Sequence, residues 1–178
     1  FFTVTSGAGY GLIALLGLFQ FLHLGIFLDK DTFFISAVIA FSLFTMGLIS
    51  STFHLANPKN AWRAFMRFRT SWLAREGLLA ILFYPFLFLY LYLTYIDYQI
   101  DNFIFMQAYS FTIFVFAVVI IYCTGMIYAC LKTIPQWNTF WTPVNYISIG
   151  IFLGSLIFFF ILDFYNYEVE PYKFYLLL

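Results

Sequence analysis

Charged residues are scarce in this chain: only 9% of its 178 residues are Asp, Glu, Lys or Arg, against about 25% in a soluble domain. Hydrophobic residues make up 64% of the chain, and aromatic residues make up 25%. So little polar surface excludes a soluble globular domain and indicates a protein that crosses a lipid bilayer several times. The formal net charge is zero, so the overall balance indicates no charged partner, and we expect no nucleic-acid partner.

Cysteine and histidine are equally rare, with two of each. Cys123 and Cys130 lie in one apolar run, roughly 10 Å apart along a helix axis, which is too far for a disulfide. We expect both to be ordinary helix-packing residues. His23 and His54 fall near opposite membrane faces, roughly 20 Å apart along the membrane normal. They therefore cannot ligate one haem together, and we expect no haem in this chain.

Five apolar runs are long enough to cross a bilayer, which takes about 20 residues. They cover residues 9–28, 33–53, 77–96, 103–131 and 143–162. The sequence therefore predicts an all-α, polytopic transmembrane helix bundle that forms a single domain over residues 1–178. Two glycine pairs on the first and fifth runs have the small-xxx-small spacing that suits close helix–helix contact. They are Gly7 with Gly11 and Gly150 with Gly154.

The few basic residues are concentrated between the second and third runs. Residues 54–76, called here the basic segment, hold five of the eight Lys and Arg residues, and Lys132 lies on the same side two runs later. Acidic residues dominate the loops on the other side. By the positive-inside rule we expect the basic segment, the loop around Pro135 and the N-terminus to face the cytoplasm. A basic loop docked on a partner subunit would give the same distribution of charge.

Part of the basic segment has the pattern of an amphipathic helix lying at the membrane interface. Helical periodicity over residues 61–73 separates an aromatic side from a side that carries Arg63 and Arg67. The aromatic side consists of Trp62, Phe65, Phe68 and Trp72. We expect this interfacial segment to extend over about residues 55–74. The alternative is a loop whose arginines only reach lipid head groups.

A titratable pair flanks the basic segment. His54 ends the second run and Glu76 precedes the third, so antiparallel packing of these runs brings both to one membrane face. Histidine gains or loses a proton near neutral pH because its unperturbed pKa is about 6.5. Such a pair is suited to bind the carbonyl oxygens of a quinone and to exchange protons with it. The alternative is structural, with His54 capping its helix and Glu76 paired with Arg75 or Arg63.

Three stretches of the chain resemble one family. HLANPKNAWRAF (54–65), followed by SWLAREGLLA (71–80), resembles the DmsC family of membrane anchor subunits, and so does IYACLKTIPQWNTFWTPVNY (127–146). The opening FFTVTSGAGYG resembles the family's entry into its first span. The segments SWLAREG and IYACLK resemble SoeC-like anchors of sulfite dehydrogenase complexes more than the dimethyl sulfoxide reductase anchor. Family members usually have eight spans, so the resemblance implies a fragment of an eight-span protein.

The resemblance also implies a haem-free site for a quinone, either menaquinone or ubiquinone, at the face that docks an iron–sulfur subunit. By position it implies His54 and Glu76 as the site pair, with Arg63 and Tyr128 beside them. It implies two partners, a four-cluster iron–sulfur subunit and a molybdopterin catalytic subunit, in which the iron–sulfur clusters and the molybdopterin reside. The residues predicted to dock these partners are Arg67, Arg69, Arg75 and Trp137.

The sequence thus predicts a quinone-binding anchor, not catalytic alone, that links an oxidoreductase complex to the membrane quinone pool. Two alternatives stay open. One is a purely structural anchor whose arginines only dock the iron–sulfur subunit. The other is a small-molecule transporter, which is less favoured because the centres of the spans are almost free of ionisable groups.

Overall fold

The computed structural model describes residues 2–22, 30–53, 66–96 and 103–165, and the regular structure in these ranges is helical. The ranges contain five long helices. These are α1 (Phe2–Phe21), α2 (Lys30–Phe53), α3 (Trp72–Tyr95), α4 (Phe103–Ala129) and α5 (Trp141–Phe164). Each is long and apolar enough to cross a membrane. The predicted all-α transmembrane bundle with five spans is confirmed.

Helix α1 is the centre of the bundle. It packs against α2, α4 and α5, whereas α3 packs mainly against α4. In α1, 67% of the span is buried inside the protein, against 28% in α3. Exposed residues of α3 such as Ile81 and Phe86 are apolar, as expected for side chains that contact lipid tails, which are as apolar as leucine.

Aromatic rings fill the space between α1, α2 and α3. Tyr10 stacks on Phe44 with ring centroids 4.8 Å apart, and Phe83 meets these two rings edge-on at 5.7 and 5.9 Å. Such ring pairs contribute about 0.5–1.5 kcal/mol each beyond the area that they bury. Because lipid supplies no hydrophobic force between helices, close packing of this kind holds the bundle together.

Glycines bring the backbones of α1 and α5 into contact. A Cβ atom added to Gly11 would lie 1.9 Å from the carbonyl oxygen of Gly150, and one added to Gly154 would lie 2.4 Å from the carbonyl carbon of Gly11. The helices could not approach this closely if side chains stood here. The predicted role in close helix packing is confirmed for these three glycines. A Cβ added to Gly7 would meet no atom within 4 Å.

The predicted interfacial helix is not continuous in its described part. Residues 61–65 lie outside the described residues, and residues 66–70 form a 3₁₀ turn followed by a hydrogen-bonded turn. Ser71 then adopts an extended backbone, with φ −119° and ψ 123°, which ends any helix that comes before it. Its side chain accepts a hydrogen bond from the backbone N–H of Ala74 at 3.4 Å and so caps α3.

Four helices begin earlier than predicted, and the difference is largest for α1 and α3. Helix α3 begins at Trp72 rather than at residue 77, so Glu76 lies within its first turns. Helix α1 begins at Phe2 rather than at residue 9. The polar residues in this added part do not interrupt α1, because a hydroxyl can bond to the preceding turn, as Ser6 Oγ does by donating to the carbonyl of Thr3 at 3.4 Å.

The loop after α4 folds back on the end of that helix. Asn138 Nδ2 donates to the carbonyl oxygen of Ala129 at 2.6 Å, which satisfies one carbonyl of the last helical turn. Cys123 is buried within α4, as predicted. The prediction was wrong for Cys130, which is exposed because it lies one residue beyond the end of the helix.

Candidate functional site

Four helices line a cavity at one end of the bundle, and its mostly apolar wall carries several polar side chains. The first turns of α1 and α3 and the last turns of α2 and α4 meet there, and the volume between them is about 190 Å³. The polar residues in its lining are Thr3, Ser6, Ser51, Glu76, Thr124 and Tyr128. The apolar part of the lining includes Leu48 and Ile127. This end of the bundle is also the end at which the basic segment leads into α3.

Glu76 supplies the carboxylate of this cavity. Its side chain is half-buried, and its Oε1 accepts a hydrogen bond from Thr124 Oγ1 at 2.6 Å. The Thr124 hydroxyl also lies 3.2 Å from the carbonyl oxygen of Ile120. A carboxyl group inside the apolar span of a membrane helix is costly, and such groups mark functional sites. The hydrogen bond fixes the orientation of the Glu76 carboxyl toward α4.

Arg75 has a structural role in the turn before α3. Its Nε donates to the carbonyl oxygen of Phe68 at 3.0 Å, and one terminal nitrogen donates to that of Arg69 at 2.8 Å. The guanidinium carbon lies 4.2 Å from the centre of the Trp72 ring, within cation–π range. The guanidinium is therefore engaged by the turn, while the hydrogen-bond partner of Glu76 is Thr124. Among the described residues, Glu76 and Arg75 therefore do not form the ion pair that was the structural alternative.

Tyr128 connects the cavity with an aromatic cluster. Its ring stacks on Tyr146 of α5, with centroids 5.3 Å apart and planes 16° apart. Trp137, in the loop after α4, meets Tyr128 edge-on at 5.5 Å. Trp137 is 42% exposed. Tyr128, predicted for the quinone site, and Trp137, predicted for partner docking, thus belong to one aromatic cluster.

Arg67 and Arg69 lie exposed on the turns that precede α3. Two large apolar side chains, Met66 and Phe68, are exposed beside them. This exposed surface of basic and apolar side chains stands at the same end of the bundle as the Glu76 cavity. Its composition is suited both to docking a protein and to contact with lipid head groups.

The structure brings some of the predicted site residues together, and others lie outside the described residues. Glu76 and Tyr128 line one cavity, and Trp137 contacts Tyr128. His54 and Arg63 lie outside the described residues, as does His23. The proposed pairing of His54 with Glu76 therefore stays a prediction.

Thr124, which donates to the Glu76 carboxyl, is not among the site residues predicted from the sequence. Its signal was present in the chain, because Thr124 precedes Tyr128 by four residues and so lies on the same face of a helix. Ser6 and Ser51 of the lining were missed as well. Tyr10 is a further polar group near the cavity. Its hydroxyl is buried and has no hydrogen-bond partner among the described residues.

The chain is similar to known proteins over most of its length. The family model described as DMSO reductase anchor subunit (DmsC) matches residues 1–178. A sulfite dehydrogenase subunit of Allochromatium vinosum is 30% identical over 171 residues, covering 88% of this chain and 52% of that protein. The chain therefore spans about half the length of the curated relative that it matches. No solved structure gives a significant match. With five apolar helices and a family match over its whole length, this chain is a multi-pass membrane protein that belongs to the DmsC family of anchor subunits.

Proposed function

We propose that this chain is a quinone-binding membrane anchor that links an iron–sulfur and molybdopterin oxidoreductase to the membrane quinone pool. One observation carries the proposal: the carboxyl group of Glu76, oriented by Thr124, lines a cavity at the end of the bundle that presents exposed arginines. The family description and the relative's name both refer to subunits of oxidoreductases. The catalytic chemistry then belongs to partner subunits.

The described lining fits the head group of a quinone. A quinone ring is flat and apolar with two carbonyl oxygens, and the cavity combines the apolar Leu48 and Ile127 with the hydroxyls of Ser51 and Tyr128. Hydroxyl groups can donate hydrogen bonds to such carbonyl oxygens. The volume of about 190 Å³ is below the roughly 300–1,000 Å³ of pockets that enclose a drug-sized ligand. The cavity therefore suits the ring, with the isoprenoid tail left outside it.

Glu76 is suited to exchange protons in this cavity. Reduction of a quinone takes up two electrons and two protons, and oxidation of the quinol releases the same. Glu76 can hold or release one proton at a carboxyl oxygen, while Thr124 keeps that carboxyl in place. We propose His54 as the second proton-exchanging group and Arg63 as its neighbour. The electrons pass between the ring and an iron–sulfur cluster of a partner docked at the same end.

Partner docking is proposed for the exposed Arg67, Arg69 and Trp137. These side chains stand at the cavity end of the bundle, and a subunit docked there brings its nearest cluster close to the ring. Arg75 contributes indirectly, because its contacts hold the turn that presents Arg67 and Arg69. By the positive-inside rule this end faces the cytoplasm of a bacterial inner membrane.

The docking proposal predicts a charge-dependent loss of assembly. Replacing Arg67 and Arg69 together by alanine should weaken binding of the iron–sulfur subunit on the order of tenfold at low salt, and raising the salt should reduce the difference between variant and native. The measurement is co-purification of that subunit over a salt series. Lys30→Ala, a basic residue at the opposite end of the bundle, is the control. A difference that is independent of salt, or equal in the control, would contradict electrostatic docking.

The proposed function is tested by the composition of the native complex. The complex is purified gently from membranes and assayed for molybdenum, iron and extractable quinone, in parallel with a Leu48→Trp complex, in which a larger ring occupies the cavity. We expect molybdenum and iron in both and quinone in the native complex only. A chain that purifies without metal and without quinone would contradict the redox-anchor function. Metal with equal quinone, or with no quinone, in both preparations would favour a purely structural anchor.

A further inference from the structure

A second cavity adjoins the Glu76 cavity on the side of α5. It has a volume of about 220 Å³ and lies between α1, α4 and α5. Thr3 and Thr124 line both cavities, so the two spaces meet at these side chains. The hydroxyl that orients the Glu76 carboxyl therefore stands at their boundary.

The second cavity reaches the outer surface of the bundle and is mostly apolar. Val4 of α1 is 54% exposed and Ile149 of α5 is 55% exposed, so these lining residues face the lipid. Leu153 lies deeper, with half-buried exposure. Gly7 leaves further room, since a Cβ atom there would meet nothing within 4 Å. An apolar cavity thus opens to the lipid surface beside α1 and α5 and borders the Glu76 cavity.

We infer that this second cavity holds the isoprenoid tail of the quinone whose ring binds beside Glu76. The inference rests on the proposed function. The Glu76 cavity has room for the ring and not for the tail, and a long apolar chain has to leave it through apolar surroundings. The second cavity shares a wall with the first and has lipid-facing residues in its lining, so it offers such a path. A lipid acyl chain has similar chemistry, but its free end carries no polar head group that could bind in the adjoining Glu76 cavity.

The test compares quinols with and without a long isoprenoid tail as substrates of the assembled complex. Leu153→Trp places a larger ring in the second cavity, and Leu156→Trp is the matched control, because Leu156 is an exposed residue of the same helix that does not line the cavity. For Leu153→Trp we expect the KM of the long-tailed quinol to rise on the order of tenfold, because the tail loses its contact with the cavity wall. The KM of a tailless quinol should stay as in the native complex. Leu156→Trp should change neither.

If Leu153→Trp changes the KM of both quinols equally, or changes neither KM, the inference is overturned. Unchanged KM values for both quinols would leave a lipid acyl chain as the occupant of the second cavity. If Leu153→Trp does not assemble, Ile149→Trp at the lipid-facing rim serves the same comparison. The proposed function fails in a different way, because a native complex that turns over neither quinol, or a Glu76→Gln variant with native turnover, contradicts it whatever the tail dependence.

Discussion

Replacing Glu76 by glutamine is expected to lower quinone-linked turnover of the assembled complex by about a hundredfold or more, within the range of 10²–10⁴ that positioned acid–base groups contribute. Glutamine has nearly the same shape, and its amide oxygen can accept the hydrogen bond that Thr124 Oγ1 donates at 2.6 Å. It cannot carry a titratable proton. The variant therefore removes proton exchange while it keeps the packing of the cavity.

The matched control for this variant is Asp163→Asn. Asp163 is an exposed carboxylate near the end of α5, at the opposite end of the bundle from the cavity. The quinone-linked turnover of the Asp163→Asn complex should equal that of the native complex. In both variants, electron transfer from the partner subunits to a soluble artificial acceptor or donor reports on intact assembly. Native quinone-linked turnover in Glu76→Gln, with assembly intact, would contradict a proton-exchanging role for this residue.

Replacing Gly11 by alanine is expected to destabilise the bundle strongly. The added methyl group would lie 1.9 Å from the carbonyl oxygen of Gly150, and this obstacle is backbone that cannot rotate away. Helices α1 and α5 would have to separate, and overpacking of this kind costs about 1–3 kcal/mol or more. The higher helix propensity of alanine, worth up to about 1 kcal/mol, offsets only part of that cost. Thermal unfolding in detergent micelles measures the effect.

Gly7→Ala provides the matched control one turn earlier on the same helix. A methyl group there meets no atom within 4 Å, so only the gain in helix propensity remains. We expect an unfolding temperature equal to or above that of the native chain. Equal unfolding temperatures for Gly7→Ala and Gly11→Ala would contradict the backbone contact between α1 and α5.

The fold could be predicted from the sequence because a bilayer imposes long apolar runs and leaves few alternatives. The helix starts were less predictable. Hydropathy placed the beginning of the first span at residue 9, but hydroxyl groups such as that of Ser6 bond to their own helix and continue it in spite of their polarity. The start of α3 depends on the extended backbone of Ser71, which a periodicity argument over residues 61–73 does not detect.

The candidate site could be predicted in part because rare residues draw attention in an apolar chain. Glu76 was identified since charged residues are few, and Tyr128 was identified by its place in a family motif. Thr124 was not, because a single threonine in an apolar helix usually bonds to its own backbone. Thr112 on the same helix does so, donating to the carbonyl of Ala108 at 2.9 Å, and it is exposed. Only packing distinguishes the two threonines.

Arg75 shows the same limit for charged groups. Arg75 belongs to the basic segment together with Arg67 and Arg69, and all three are predicted from the sequence as docking residues. In the structure its guanidinium contacts the carbonyl oxygens of Phe68 and Arg69. That contact depends on the turn geometry before α3, which no spacing rule supplies.

The central claim, that a quinone ring binds beside Glu76, is tested most directly by photolabelling. A quinone with an azide on its ring is photolysed in membranes that contain the assembled complex, and the labelled peptides are identified by mass spectrometry. We predict label on residues 73–76 and 124–128, displaced by excess unlabelled quinone and absent from a Leu48→Trp complex, in which a larger ring occupies the cavity. Label confined to lipid-facing residues such as Ile81 and Phe86, and not displaced by excess quinone, would contradict the claim.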